Sequence, residues 1–297
     1  MSKMKHIAVI GEAMLELSHQ NASLLSLAFA GDTLNFAIYL RRLLHDQAFE
    51  LHYVTALGQD IYSDNMLENW RKEGLNTDLI RTDEKGERTF YFYRSASAAR
   101  ELFKGDIVNL SQNLLAMDYL YLSGITLAIL DEASRECLWN ILKAAKQAGA
   151  QIIFDSNYRA ALWSSPQSAK EAIQQILQFV DIALPTFIDD QLVFGDSTPE
   201  VCAQRLLKSG VTEVVVKCGA EPALVANINQ QQRVPACVTN KVIDTTGAGD
   251  SFNSAYLAAR LLGIEPIKAA LWGHALAAKV IAQPGAIIPL TTMPHLS

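Results

Sequence analysis

A chain of 297 residues, 50% hydrophobic and 19% charged, can bury a large core and is too apolar to be disordered. Its net charge of −6 and lack of any basic cluster argue against a nucleic-acid partner. No apolar run approaches the roughly 20 residues of a membrane span.

The N-terminal apolar run ends at Gly11-Glu12, too soon for a signal peptide. It reads as a first strand, His6–Ile10, followed by a helical period over Thr33–Leu44. A strand at His52–Ala56 and a helix at Tyr62–Lys72 come next. Strands at Tyr119–Leu122 and Gln151–Phe154 flank a helix at Asp131–Ala148. A helix at Ala169–Phe179, a strand at Ile182–Leu184 and a helix at Pro199–Ser209 continue the alternation. Strands at Glu213–Lys217 and Ala223–Ala226 precede two final helices, Gly249–Leu262 and Pro266–Ala282. Such alternation predicts one α/β domain, a doubly wound and mostly parallel sheet flanked by helices.

Two stretches break the pattern, Met14–Phe29 and Asp78–Arg100. The second contains the alternating run Arg88-Thr89-Phe90-Tyr91-Phe92-Tyr93-Arg94. Exposed aromatics on a small sheet need a cover, so both are read as a small β lid over the crevice and as a contact for a second copy of the chain. The four cysteines, Cys137, Cys202, Cys218 and Cys237, have no metal spacing and suit reduced thiols in a cytoplasmic protein.

Several predicted strands end in small or polar residues: Gly11-Glu12, Ser123-Gly124, Asp155-Ser156-Asn157, Thr186 and Lys217-Cys218-Gly219. Open α/β sheets bind ligands at those ends. GxxxxGK[ST] is missing, and Gly247 and Gly249 do not continue into a GxGxxG loop, which argues against a P-loop or dinucleotide site. The run Asp244-Thr245-Thr246-Gly247-Ala248-Gly249-Asp250-Ser251-Phe252 instead places a glycine turn and a carboxylate where a helix begins. Glycines leave N–H groups uncovered and the helix N-terminus adds positive charge. An anion hole beside a base is what phosphoryl transfer needs. Taken alone, the turn is equally a strand-to-helix connection capped by Asp250.

This run resembles the signature of the ribokinase-like (phosphofructokinase-B) carbohydrate kinases. Ala30-Gly31-Asp32-Thr33-Leu34-Asn35 is similar to that family's Gly-Gly-x-x-x-Asn motif, with Ala30 for the first glycine. Gly86–Tyr91, Asp118–Ile125, Asn157-Tyr158-Arg159 and Val214–Lys217 point to its 2-keto-3-deoxygluconate kinase branch. The resemblance spans nearly the whole chain and implies a ribokinase-like fold.

It further implies ATP and Mg²⁺, a small acidic sugar as acceptor, and Asp250 as the base for its 6-hydroxyl. Gly247, Ala248 and Gly249 would stabilise the moving phosphoryl. Gly31, Asn35, Tyr91, Tyr93, Arg94 and Arg159 would hold the sugar. Asn157, Tyr158, Arg159, Thr186, Lys217, Cys218, Gly219 and Ala220 would hold the nucleotide. Mg²⁺ would sit on the ATP phosphates with no protein ligand, although Asp189 stands near the family's usual acidic position.

Two arginines favour a carboxylate sugar, since a guanidinium grips a carboxylate bidentately. The plainer readings are surface arginines, a solvated Asn35, packing tyrosines, a structural ion pair at Lys217 and a core His274. Only eight residues separate Thr77 from Gly86, where relatives carry a longer, substrate-contacting segment. That departure favours the alternative of a non-catalytic sugar-binding relative; a kinase of the same fold acting on a neutral sugar or nucleoside is the other alternative.

Overall fold

Strands that are apolar on both faces need helices above and below them. The computed structural model describes residues 3–21, 23–45, 47–82, 97–237, 239 and 241–296. In chain order these form β1 (Lys5–Ile10), β2 (Met14–Asn21), β3 (Leu24–Ala30), α1 (Asp32–Leu43), β4 (Phe49–Val54), β5 (Ala56–Leu57), α2 (Ile61–Lys72) and β6 (Arg81–Thr82). There follow α3 (Val108–Leu115), β7 (Tyr119–Ser123), α4 (Gly124–Ile129), α5 (Glu132–Gln147), β8 (Gln151–Asp155), α6 (Pro166–Leu177) and β9 (Ile182–Ala183). The chain continues through α7 (Phe187–Phe194), α8 (Pro199–Lys208), β10 (Glu213–Cys218), β11 (Glu221–Asn227), β12 (Gln231–Val234), α9 (Ala248–Leu261) and α10 (Pro266–Val280).

Eight strands make one sheet in the order β12-β11-β10-β9-β8-β7-β1-β4. From β4 to β10 the neighbours are parallel, whereas β11 and β12 run antiparallel. After β1 the chain places β4 on one side and later β7 on the other. The strand order therefore reverses at the C-terminal ends of β1 and β7, the place where open α/β sheets bind ligands.

The two-residue period of the strands divides the core. Ala8, Ile10, Leu120, Leu122, Ile152 and Phe154 pack with Leu114, Leu138, Ile173 and Leu206 on one face. Ile7, Val9, Tyr121, Ile153 and Val215 pack with Leu34, Trp70, Tyr256 and Ala269 on the other. Truncating a fully buried side chain such as Phe154 to Ala should cost about 3–5 kcal/mol.

The predicted strands and helices are found, with ends shifted by one to three residues. Three helices escape the sequence pattern: α3, α4 and α7 are at most eight residues long, too short for a helical period to show. Strand β12 escapes because Gln231, Gln232 and Arg233 are polar and exposed, as an edge strand tolerates.

Met14–Phe29 does form a separate two-stranded antiparallel sheet, β2 with β3, running from Met14 opposite Ala30 to Asn21 opposite Leu24. It leaves Leu17, Leu24, Leu25 and Leu27 exposed. The alternating run 88–94, with Tyr91, Tyr93 and Arg94, lies outside the described residues.

Candidate active site

Helix α9 opens on the Gly-Ala-Gly turn. Gly247 has φ 74° and occupies the N-cap position, with no side chain capping the helix. A Cβ on Gly247 would stand 2.7 Å from the carbonyl oxygen of Ala286, so glycine is required both by conformation and by space. Asp244 fastens the turn: it accepts from the Thr246 backbone (2.9 Å) and hydroxyl (2.6 Å) and from the Gly285 N–H (2.9 Å). Those bonds hold its carboxyl below the usual range. Asp60, Asp131, Ser165 and Thr198 cap α2, α5, α6 and α8 with side-chain acceptors. The starts of α1, α7 and α9 at the sheet's C-terminal edge lack such caps. At α9 the Ala248 N–H donates to the Thr245 carbonyl at 3.3 Å; first-turn N–H groups without such a bond are left for water or an anion.

Asp250 is therefore not the cap. It lies in the first turn of α9, where Asn35 Nδ2 donates to its Oδ2 at 2.8 Å. The Ser254 hydroxyl reaches the Phe36 carbonyl at 3.0 Å, tying α9 to α1 and fixing that pair. Gly31 starts α1 with φ 144°, and a Cβ there would meet the Glu12 carbonyl at 2.6 Å. The Asp32 side chain does not cap its helix. Its Oδ2 accepts from Ser123 Oγ at 2.5 Å and from Asn157 Nδ2 at 2.8 Å.

A second cluster lies beside it. Lys217 Nζ donates to Asp155 Oδ2 (2.7 Å) and Asn253 Oδ1 (2.9 Å), while Asn253 Nδ2 donates to Asp155 Oδ2 (2.6 Å). A Cβ on Gly249 would stand 3.8 Å from that ammonium, so bare backbone faces a buried cation.

An ordinary carboxylate is a weak base for an alcohol. The surroundings of Asp250 are not ordinary. Loss of hydration in the crevice, then the charge of Asp32, pushes Asp250 up to about 8, against the opposing Asn35 hydrogen bond. Both aspartates keep partial exposure, so solvent still reaches them. Asp32 is also raised, mainly by loss of hydration, despite the bonds from Ser123 and Asn157. Asp189 rises to about 6 through the same loss of hydration and the charge of Asp155, with Arg159 and Lys217 opposing.

The predicted residues fall into three groups. Gly31, Asn35, Gly247, Ala248, Gly249 and Asp250 meet where α1 and α9 begin. Asn157 and Lys217 are buried next to them; Asn157 adopts φ 30° and its backbone N–H donates to Asp155, while Tyr158 is buried in the hydrophobic core with Leu120 and Phe154. Arg159 points outward, half-exposed and 3.6 Å from Asp189. Thr186 begins α7 and bridges to Lys217. Cys218 closes β10, and Gly219 (φ 63°) and Ala220 make the exposed turn into β11. His274 is buried edge-on against Phe252, as the core reading expects.

Asp32, Ser123, Asp155 and Asn253 were not singled out as site residues. Ser123 and Asp155 end strands, and Asn253 follows Asp250 by three helical positions. Each carries a positional signal, but none announces its partner.

The pfkB family carbohydrate kinase pattern matches residues 4–293. The 2-dehydro-3-deoxygluconokinase of Dickeya dadantii (strain 3937) is 44% identical, over 98% of this chain and 99% of that protein. The protein of the same description from Escherichia coli (strain K12) is 43% identical over the same shares. The Dickeya comparison spans 307 positions against 297 residues here, so at least ten of its positions have no counterpart in this chain. Among solved structures, the PfkB protein from Polaromonas sp. JS666 superposes with a TM-score of 0.81 at 26% identity, covering 94% of this chain and 96% of that one. A ribokinase II of E. coli in complex with ATP and Mg²⁺ gives 0.82 at 22% identity, covering 98% and 96%, a likeness of fold. Matched almost from end to end by the family pattern and by these relatives, the chain belongs to the pfkB family of carbohydrate kinases.

Proposed function

We propose that this kinase transfers the γ-phosphoryl of ATP to the 6-hydroxyl of 2-keto-3-deoxy-D-gluconate (2-dehydro-3-deoxygluconate), giving 2-keto-3-deoxy-6-phosphogluconate in the cytoplasm. The observation that carries this reading is identity of 43–44% along the full length with relatives described as 2-dehydro-3-deoxygluconokinase.

Asp250 is the base. A carboxyl raised toward the working pH accepts the hydroxyl proton late in a loose phosphoryl-transfer transition state. The N–H groups of the Gly247–Gly249 turn, on a helix N-terminus that no side chain caps, stabilise charge on the transferring group. Asn35 orients Asp250 and, with Gly31, faces the sugar hydroxyls. Arg159 and Arg94, with Tyr91 and Tyr93, take the acidic end of the sugar. Asn157, Tyr158, Thr186 and the segment Lys217–Ala220 line the nucleotide side. Uncapped N–H groups at α7 and α9 beside the oxygens of Asp155 and Asp189 suit phosphates carrying Mg²⁺, an ion that favours oxygen ligands and keeps its waters. When bound, Mg²⁺ would neutralise phosphate charge. The β2–β3 sheet acts as part of a lid, and its exposed leucines take a second copy of the chain.

The test is ATP consumption by the purified protein with Mg²⁺ and a panel of 2-keto-3-deoxygluconate, gluconate, fructose and ribose. The expected result is fastest turnover with the first, with Arg159→Ala weakening it more than any residual use of fructose. Preference for fructose would replace the reading by a neutral-sugar kinase. No acceptor-dependent turnover would favour a non-catalytic relative, the alternative that the shortened chain supports.

A further inference from the structure

At the end of the sheet opposite Asp250, β1 and β4 run parallel with His6 beside Glu50 and Ala8 beside His52. The two-residue period of a strand puts positions 50 and 52 on one face, and the register adds His6 to it. Three ligand-type atoms converge there. His6 Nδ1 is 3.2 Å from His52 Nε2. Glu50 Oε2 is 3.3 Å from the first and 3.8 Å from the second. These values are close to the edges of a coordination tetrahedron, because an ion with bonds of about 2.0–2.1 Å holds its ligands roughly 3.3–3.4 Å apart.

The surroundings fit the same geometry. Asn76 Nδ2 donates to the other carboxylate oxygen, Glu50 Oε1, at 2.7 Å. That bond turns Oε2 toward the rings, the orienting role that groups around a metal's ligands commonly play. His52 is buried, and its ring faces the other two groups through Nε2, an atom that binds metals in the neutral imidazole. His6 and Glu50 are partly open to solvent, so an ion can enter and water can complete its coordination. A hydrogen bond between the rings would satisfy the same contact only by holding a proton there, and a cation would displace that proton.

We propose that His6 Nδ1, Glu50 Oε2 and His52 Nε2 bind one divalent cation of the zinc class, with solvent in the remaining position. Two nitrogen ligands separate this ion from the oxygen-seeking Mg²⁺ of the kinase reaction. The four residue-to-residue steps of β1 from His6 to Ile10 put about 13 Å between the two ends. The cation pins the edge strand β4, and the Asn76 segment behind it, to β1.

Protein stripped with chelator is titrated with Co²⁺ while visible absorption is followed, and with Zn²⁺ against a chromophoric competitor. Wild type should take up one equivalent of each and show the intense absorption of tetrahedral Co²⁺. His6→Ala and Glu50→Gln should each weaken binding at least about tenfold. Their metal-free thermal melts report whether they fold. Crystals of the wild type soaked in Zn²⁺ should show anomalous scattering between the three side chains, a readout that needs no variant. Uptake by wild type no tighter than by the variants, or an anomalous map without a peak there, would leave a hydrogen-bonded His–His–Glu cluster and overturn the proposal.

Discussion

Replacing Asp32 by Asn should move the acid limb of the kinase's pH profile. Asp32 precedes Asn35 by one helical turn, and Asn35 holds Asp250 at 2.8 Å. Side chains three apart on a helix have Cβ atoms about 5–6 Å apart, which sets a charge separation of roughly 6–8 Å. At an effective dielectric of about 20, two such charges repel by about 2–3 kcal/mol, or roughly 1.5–2 pKa units. Asn keeps the shape and one oxygen to accept from Ser123 and Asn157. The substitution therefore removes charge while preserving the local bonds.

Loss of hydration is the larger cause of the raised Asp250 value, and it stays, so the pKa falls only part of the way. Because Asp250 must be unprotonated to accept a proton, kcat/KM in wild type declines as pH falls through the raised value. In Asp32→Asn that decline should begin about 1–2 units lower. Initial rates of ADP release from about pH 5 to about pH 9, with acceptor varied, measure the limb directly. An unmoved limb with normal plateau activity would show that Asp32 does not set the basicity of Asp250. A collapse of kcat without a shift would assign it a purely positional task.

Asp250→Asn should abolish turnover and leave nucleotide binding nearly intact. It should also flatten the pH dependence of stability. Between the unfolded carboxylate value near 3.8 and the native one near 8, the native state keeps a proton that the unfolded chain has released, so wild-type stability falls as pH rises. The variant's advantage in urea melts should therefore grow toward pH 8, to on the order of 1–2 kcal/mol after discounting for crevice solvent; an advantage that shrinks would reverse the sign. Lys217→Met strands the buried Asp155 and should cost about 3–5 kcal/mol by urea unfolding, whereas a loss under about 1 kcal/mol would show the pair to be solvated. Gly247→Ala forces an L-residue into the left-handed region at about 1–2 kcal/mol and drives a methyl toward the Ala286 carbonyl. Both its melting temperature and its kcat should fall, and unchanged values would mean that the turn has room to relax.

Much of the site was legible because its parts sit at places that physics marks in a sequence. Glycines at 31 and 247 occupy positive-φ positions crowded by carbonyls, and Asp250 follows such a turn by three residues. Strand ends at Ser123 and Asp155 were visible as the point where apolar runs stop. What the sequence could not supply were distances between elements far apart in the chain. Asp32 finds Asn157 across 125 positions and Lys217 finds Asp155 across 62, and no local pattern encodes either pairing. The environment of Asp250 is hidden for the same reason, since Asp32 reaches it only through the packing of α1 on α9.

That packing also explains how an acidic crevice can serve a polyanion. Asp32, Asp155, Asp189 and Asp250 stand against Lys217 and Arg159, and Lys217 is already held by Asp155. With more carboxylates than cations, the crevice favours a proton on the group most deprived of water. Asp250, Asp32 and Asp189 are all raised in this way. An anion arriving at the turns of α7 and α9 would meet helix N-termini beside carboxyls whose raised values favour the neutral form, which lowers the repulsion. The same excess would strengthen Asp250 in the base role proposed for it, once its proton has left. Anion tolerance and basicity are thus two results of one arrangement, and Asp32 is the residue through which both can be tuned.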